Sequence, residues 1–410
     1  MNDLADGFAR HLVDWATTLG APADSLALLD TVARRLATAT SAGHVCVALE
    51  AVAGARSSPI EGDFPQPPDE EAPPDWNEGV FADADVPDDH AAVARMRERL
   101  LASGVVIEAA QALSGRSAHP LVVDAGDRLY LRRHFDQERA LAVALVTRAR
   151  AADFAAGPAS RPALLDTLFP PRPGAAPDWQ RCAVMLALQG RLTVISGGPG
   201  TGKTTTVAAL LACLVEAQPD LRIALAAPTG KAAARMLEAL RQRAQTLPAA
   251  LAARLPTAAF TVHRLLGVTP EPGRFRHHAA NPLAVDVLVV DEASMLDLAL
   301  ATRLIDALPP TARLVLLGDK DQLAAVEAGA VFAELSAECV FSAPMRARLG
   351  LGGDARAPAT GMLADSVVWL TESHRFRADS GIGRLATDIR AGHGLAALAW
   401  LAAGEDASAR

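Results

Sequence analysis

Apolar residues recur at three- and four-residue intervals over residues 3–53, as at Leu26, Leu29, Val32 and Leu36, and predict amphipathic helices. The helical period returns over 91–114. The stretch "HPLVVDAGDRLYLRRHFDQERALAVAL", residues 119–145, predicts a short hairpin turning at "DAGD" and then a long helix. Residues 1–155 therefore predict a mainly helical N-terminal domain, interrupted at 54–90 by a Pro-, Asp- and Glu-rich excursion. Residues 156–177 carry six prolines and read as a linker.

After residue 177 the period changes. Short apolar runs, "RLTVIS" (191–196), "RIALAAP" (222–228), "VDVLVVDE" (285–292) and "RLVLLGD" (313–319), alternate with helical stretches. Runs without polar alternation suit strands buried on both faces, so residues 178–345 predict an α/β domain on a parallel sheet. Residues 346–365 read as a second loop, and "VVWLTESHRF" begins another strand that is expected to open an incomplete second domain over 346–410. No internal repeat is visible.

Charge alters this picture only locally. The net charge is −8, but residues 54–90 alone contribute about −10, leaving the rest of the chain near +2. A global acidic balance therefore does not exclude a nucleic-acid partner. The Pro-rich setting of those carboxylates predicts a solvated face rather than a metal cluster. Four widely spaced cysteines with no CxxC pair predict free thiols, and His277–His278, with no cysteine nearby, predict loop residues rather than zinc ligands. The chain lacks a signal-peptide pattern and any apolar run of membrane-spanning length, so the expectation is a cytoplasmic protein without membrane contact.

The chemistry centres on "VISGGPGTGKTTTV", residues 194–207. Gly197, Gly198, Pro199, Gly200, Thr201, Gly202, Lys203, Thr204 and Thr205 form a phosphate-loop pattern between an apolar strand and a helix start. Glycines let backbone N–H groups turn toward phosphate oxygens, and the helix N-terminus adds positive potential. Lys203 is placed for the β- and γ-phosphates and the Thr204 hydroxyl for Mg2+. "VLVVDE" carries Asp291 to a strand end as the second magnesium ligand, with Glu292 as candidate general base. Gln180 in "DWQRCAV" can pair with an adenine edge. Gln322, after Asp319, can sense the γ-phosphate. "APTGKAAARM" places Pro228, Thr229, Lys231 and Arg235 at a helix start suited to nucleic-acid phosphates, and Thr261 and His263 in "TVHRLLG" join them. With only 4% aromatic residues, stacking platforms are few, and Phe260, Phe332 and Trp369 read as core. The chain holds only three lysines, Lys203, Lys231 and Lys320, all inside these motifs. A compact ammonium fits between phosphates where a planar guanidinium does not, although Lys320 can also be read as simply exposed.

Taken in order, Gln180, GGPGTGKTTT, APTGKAAARM, TVHRLLG, VVDEAS and GDKDQLAAVEAGAV resemble the motifs of superfamily 1 DNA helicases, and most closely those of RecD, the alpha subunit of exodeoxyribonuclease V. The likeness is dense over about 178–390 and looser before it. It implies a RecA-like P-loop domain using ATP and Mg2+, and an arginine finger at Arg375 in "ESHRF". It also implies a 5′→3′ helicase subunit acting on single-stranded DNA at a duplex end in double-strand break repair. RecB- and RecC-like subunits are the implied partners, docked by residues 1–155. Two later motifs of the family's second domain are missing before Arg410. The expectation is a truncated chain with weak or no turnover by itself. A free-standing RecD-like or relaxase-associated helicase, and a nucleotide-binding structural subunit without turnover, remain alternatives.

Overall fold

The computed structural model describes residues 2–54, 90–115, 118–151, 163–170, 177–271, 273–322, 328–351, 361–372, 381–390 and 392–403. Almost all of the acidic excursion, together with Arg375, lies outside them. The chain divides into two compact units, Met1–Asp136 and Gln137–Arg410.

In the first unit, α1 (Asn2–Thr18) and α2 (Ala23–Ser41) carry the predicted period. Leu29, Val32 and Leu36 are fully buried, with Leu26 partly so. β1 (Cys46–Ala48), α3 (Leu49–Gly54), α4 (His90–Leu101), β2 (Val106–Glu108), α5 (Ala109–Ser114), β3 (Leu121–Val123) and β4 (Arg128–Leu131) follow. The strands form one small sheet in the order β1-β4-β3-β2, set among the helices that make up most of the described unit. β1 and β2 have three residues each, too few for alternation to register in the sequence. The β3–β4 hairpin turns where expected. Asp124 Oδ1 accepts the N–H groups of Gly126 and Arg128, both at 2.9 Å, and Asp127 sits at φ 53°.

The division between the units falls inside α6 (Arg132–Arg150). The second unit continues with α7 (Ala163–Leu168), α8 (Trp179–Gln189), β5 (Leu192–Gly197), α9 (Lys203–Ala217), β6 (Ile223–Ala227), α10 (Gly230–Ala244), α11 (Ala249–Ala252), β7 (Phe260–Thr261) and α12 (Val262–Leu266). β8 (Val287–Val290), α13 (Leu298–Ala307), β9 (Arg313–Gly318), α14 (Val331–Leu335), α15 (Ala343–Leu349), β10 (Val367–Leu370), α16 (Gly381–Arg390) and α17 (Gly394–Ala403) complete it. All strand pairs are parallel, in the order β10-β5-β9-β8-β6-β7. Every residue of β5 and β8 is buried, as the unbroken apolar runs require. A parallel sheet whose inner strand leads through a glycine-rich loop into a helix is the RecA-like P-loop arrangement.

Two sequence expectations change here. Within the proposed linker, α7 places Leu164 and Leu165, and the residue that follows it, Phe169, in the same core as β5 and α9. The prolines bracket this helix rather than exclude it. Val367–Leu370, expected to open a second domain, instead pairs in register with Val194–Gly197 as the sixth strand of this sheet. Cysteines 46, 182, 213 and 339 form no disulfide among the described residues, and burial pushes the Cys182 and Cys213 thiols up to about 11 and about 12, so both stay protonated.

Arg148 is the cation buried at the back of this sheet, 5% exposed. Its guanidinium donates to the carbonyls of Leu308 at 2.7 Å, Pro309 at 2.9 Å and Ala312 at 3.0 Å, covering acceptors left open after α13. Burial pulls its pKa down, and those carbonyl bonds offset part of the desolvation cost. Arg148→Met removes the donors and leaves the acceptors buried. It is expected to lower unfolding free energy by about 1–3 kcal/mol in urea titration; an unchanged midpoint would show that water reaches those carbonyls.

Candidate nucleotide-binding site

The phosphate loop is shaped by backbone geometry. Gly200 and Gly202 stand at φ 80° and 84°, in the left-handed region that glycine enters without steric cost. Gly202 caps α9 without a side chain, and the first helical bond is made by Thr206 N–H to Gly202 O at 2.9 Å. The N–H groups of Lys203, Thr204 and Thr205 thus precede any intrahelical acceptor and mark an anion site. Thr201 closes the loop through its hydroxyl on Gly198 O at 2.9 Å. A side chain at Gly202 would collide with Nε2 of Gln180, which itself donates to Thr201 O at 3.0 Å. The amide expected at an adenine edge is thereby also a strut of the phosphate loop.

Lys203 Nζ donates to the carbonyls of Gly197 and Gly198. Burial pulls its pKa down, while Asp319, Asp291 and Glu292 act in the opposite direction. Those carboxylates come from the ends of two other strands. Asp291 extends β8 by one residue, its N–H on Ala226 O at 2.9 Å, and Asp319, 6% exposed, follows β9. Burial is also the main reason the Asp291 pKa is raised, ahead of the opposing bond from Glu292 N–H at 2.8 Å. Glu292 adopts φ 51°, unusual for a residue with a side chain. The Ser294 hydroxyl lies 3.5 Å from Gln322 Oε1, which brings the loops after β8 and β9 together. Lys320 has two attachments: its N–H donates to Ser196 Oγ at 3.0 Å, and its ammonium lies 2.7 Å from Asp321 Oδ1 and 5.4 Å from the Trp369 ring centre. A half-buried cation, a set of open N–H donors, a hydroxyl at Thr204 and a half-buried carboxylate at Asp291 fit a nucleotide triphosphate with a hard divalent cation.

The candidate nucleic-acid residues lie at the ends of β6 and β7. The Thr229 and Thr261 hydroxyls cap α10 and α12, accepting from Ala232 N–H at 3.2 Å and Arg264 N–H at 3.1 Å. Lys231, Arg235 and His263 are exposed, and Pro228 is half-buried. Arg264, absent from the sequence expectation, lies 5.4 Å over the Phe260 ring and adds an exposed cation to the group. Phe332 is core as expected, whereas Phe260 and Trp369 are only partly covered.

Two outcomes test this geometry. Gly202→Ala must displace Gln180 and strain a left-handed position, so binding of a fluorescent ATP analogue is expected to fall by at least about tenfold; retained affinity would remove Gln180 from the loop's support. Asp291 bears on stability through its raised pKa. The folded protein holds that proton more tightly than the unfolded chain, so stability is lost as pH rises from the ordinary carboxylate value through the raised one. Without nucleotide, Asp291→Asn is expected to stabilise the protein at pH 7 by about 0.5–2 kcal/mol, an advantage that disappears below about pH 4. Thermal melts across pH check the sign.

Comparison with known proteins places the chain among helicase-type relatives. Residues 180–328 match the family described as an AAA domain. The RecBCD enzyme subunit RecD of Mycolicibacterium smegmatis is 45% identical over 289 residues, covering 68% of this chain and 46% of that protein. RecD of Haemophilus influenzae is 44% identical over 231 residues, covering 52% of this chain and 36% of its own. The ATP-dependent RecD2 DNA helicase of Deinococcus radiodurans is 44% identical over 151 residues, covering 37% and 18%. A solved Pif1 helicase aligns with 53% of this chain and 48% of its own at TM-score 0.31 and 21% identity, too loose a match to add to the sequence result. In each case the match spans less than half of the relative's length. Over the 289 residues of the first match, the chain belongs to the RecD family.

Proposed function

We propose that this chain carries the ATP-hydrolysing part of a 5′→3′ DNA helicase subunit in an exodeoxyribonuclease V complex that processes double-strand breaks for recombination. The observation that carries the reading is the convergence of Lys203 with Asp291, Glu292 and Asp319 at the carboxyl ends of β5, β8 and β9. Such an edge is where open α/β sheets take their ligands. The RecD relatives support the choice of complex, and polarity follows from the resemblance alone.

In this reading the N–H groups at the start of α9 and the Lys203 ammonium hold the β- and γ-phosphates. On ATP binding Lys203 leaves its loop carbonyls for phosphate oxygens. Thr204 and Asp291 would hold Mg2+, which when bound neutralises charge on those oxygens. Glu292 accepts the proton of the attacking water, and Gln322, held near Ser294, reports on the γ-phosphate. Arg375 is assigned to the transition state from its motif alone. Pro228, Thr229, Lys231, Arg235, Thr261 and His263 track the backbone of single-stranded DNA, and residues 1–155 dock RecB- and RecC-like subunits. No helix among the described residues is long and apolar enough to cross a membrane.

DNA-stimulated ATP hydrolysis in the assembled complex tests the reading. Lys203→Gln is expected to reduce it at least about 100-fold, whereas unchanged hydrolysis would favour a nucleotide-holding structural role. Lys231→Ala and Arg235→Ala are expected to weaken single-stranded DNA binding without altering base preference. Each should flatten the log–log salt slope by about 0.7; an unchanged slope places the DNA elsewhere.

A further inference from the structure

Behind the loops that carry Glu292 and Asp319 lies a helix segment far upstream in sequence. In α6, Leu141, Leu145 and Arg148 follow at four- and three-residue spacing and are 6%, 2% and 5% exposed, so this face is packed. Leu141 and Leu145 meet Ala293, Leu296, Leu316 and Phe332 around a residual void of only about 10 Å³. Ala293 begins the turn immediately after Asp291–Glu292. Phe332 lies so close under Gly318, the residue before Asp319, that a Cβ there would stand 2.8 Å from its ring. Both acidic loops therefore rest on a surface completed by the two leucines.

The conformation of Glu292 needs such a support. At φ 51° it occupies the left-handed region, which is costly for a side-chain-bearing residue and persists only where the surroundings over-determine it. The backbone bonds of the turn are local: Glu292 N–H on Asp291 Oδ1, Met295 N–H on Glu292 O at 3.0 Å and Leu296 N–H on Ala293 O at 3.1 Å, while the Ser294 hydroxyl, 3.5 Å from Gln322 Oε1, reaches only the neighbouring acidic loop. They would travel with the turn if it shifted. The burial of Ala293 and Leu296, 1% and 3% exposed, ties the turn to a distant element instead. That element is itself pinned, by the Arg148 bonds to the carbonyls after α13 and by the Thr302 hydroxyl on Gln137 O at 3.3 Å.

We propose that Leu141 and Leu145 of α6 are positioning residues for the hydrolytic reaction, holding the turn after β8 so that Glu292 keeps its left-handed conformation and its carboxylate stays aimed at the attacking water. The proposal rests on the reading of Glu292 as general base. It makes a segment outside the strand–loop–helix motifs part of the catalytic geometry.

Single-turnover ATP hydrolysis by the chain, with its partner subunits present, separates the outcomes. Leu145→Ala and Leu141→Ala are each expected to slow hydrolysis about 10- to 100-fold while leaving the affinity for a fluorescent ATP analogue within about twofold. Leu145→Met, which refills the space, should restore most of the rate. Leu29→Ala, in the separate core of the first unit, serves as a buried-leucine control and should leave the rate unchanged. In a Glu292→Gln background, Leu145→Ala should slow hydrolysis no further. A full additional loss in that background, or an equal loss in Leu29→Ala, overturns the positioning role and leaves a merely structural one. Wild-type hydrolysis unaffected by Glu292→Gln, or absent, instead overturns the reading of Glu292 as base.

Discussion

Everything in the second unit is arranged around one electrostatic constraint. An ammonium, Lys203, is partly withdrawn from water at the edge of an apolar sheet, close to three carboxylates from neighbouring strand ends. Burial acts against the charged forms of Lys203 and Asp291. Their mutual attraction offsets part of that cost, and loop carbonyls take the ammonium's protons. The result is a charged site kept folded by apolar strands that contribute no chemistry. A polyanion with its counterion can replace those internal contacts without new burial, which is the physical sense in which such a site is prepared for a nucleotide.

The same constraint explains why small residues sit where they do. Gly202 leaves room for the Gln180 amide, Gly318 for the Phe332 ring, and Gly197 for Thr201 and Leu370. Each is a place where the loop-bearing strands are approached too closely for a side chain. The phosphate loop is thus fixed from three sides, by α8 through Gln180, by β9 through the Lys320–Ser196 bond and by β10 through Leu370.

Much of this was legible in the sequence. Four of the six strands of the large sheet appear as unbroken apolar runs, and the phosphate loop and "VVDE" announce their chemistry because the required residue types are few and closely spaced. β10 is visible as a strand, expected to open a second domain, since a largely buried run carries no mark of its partner. β7 has two residues and β1 and β2 three each, too short for any period. The helix α7 was hidden by its flanking prolines, which signal boundaries but were read as filling the whole segment. Support from α6 and the Arg264–Phe260 pair could not be read at all, because both depend on residues brought together by the fold.

The strand order has a consequence for how the molecule is made. β5 precedes both of its sheet neighbours, pairing on one side with Arg313–Gly318 and on the other with Val367–Leu370. During synthesis at roughly 5–20 residues per second, the strand that carries the phosphate loop emerges several seconds or more before either neighbour. Over that interval it is an apolar segment with two open edges, the kind that other chains can capture. The phosphate loop is consequently among the last parts of the unit to be built. Nascent chains of this protein should depend on chaperones through the interval between β5 and β10, and nucleotide can stabilise only a chain that has passed it.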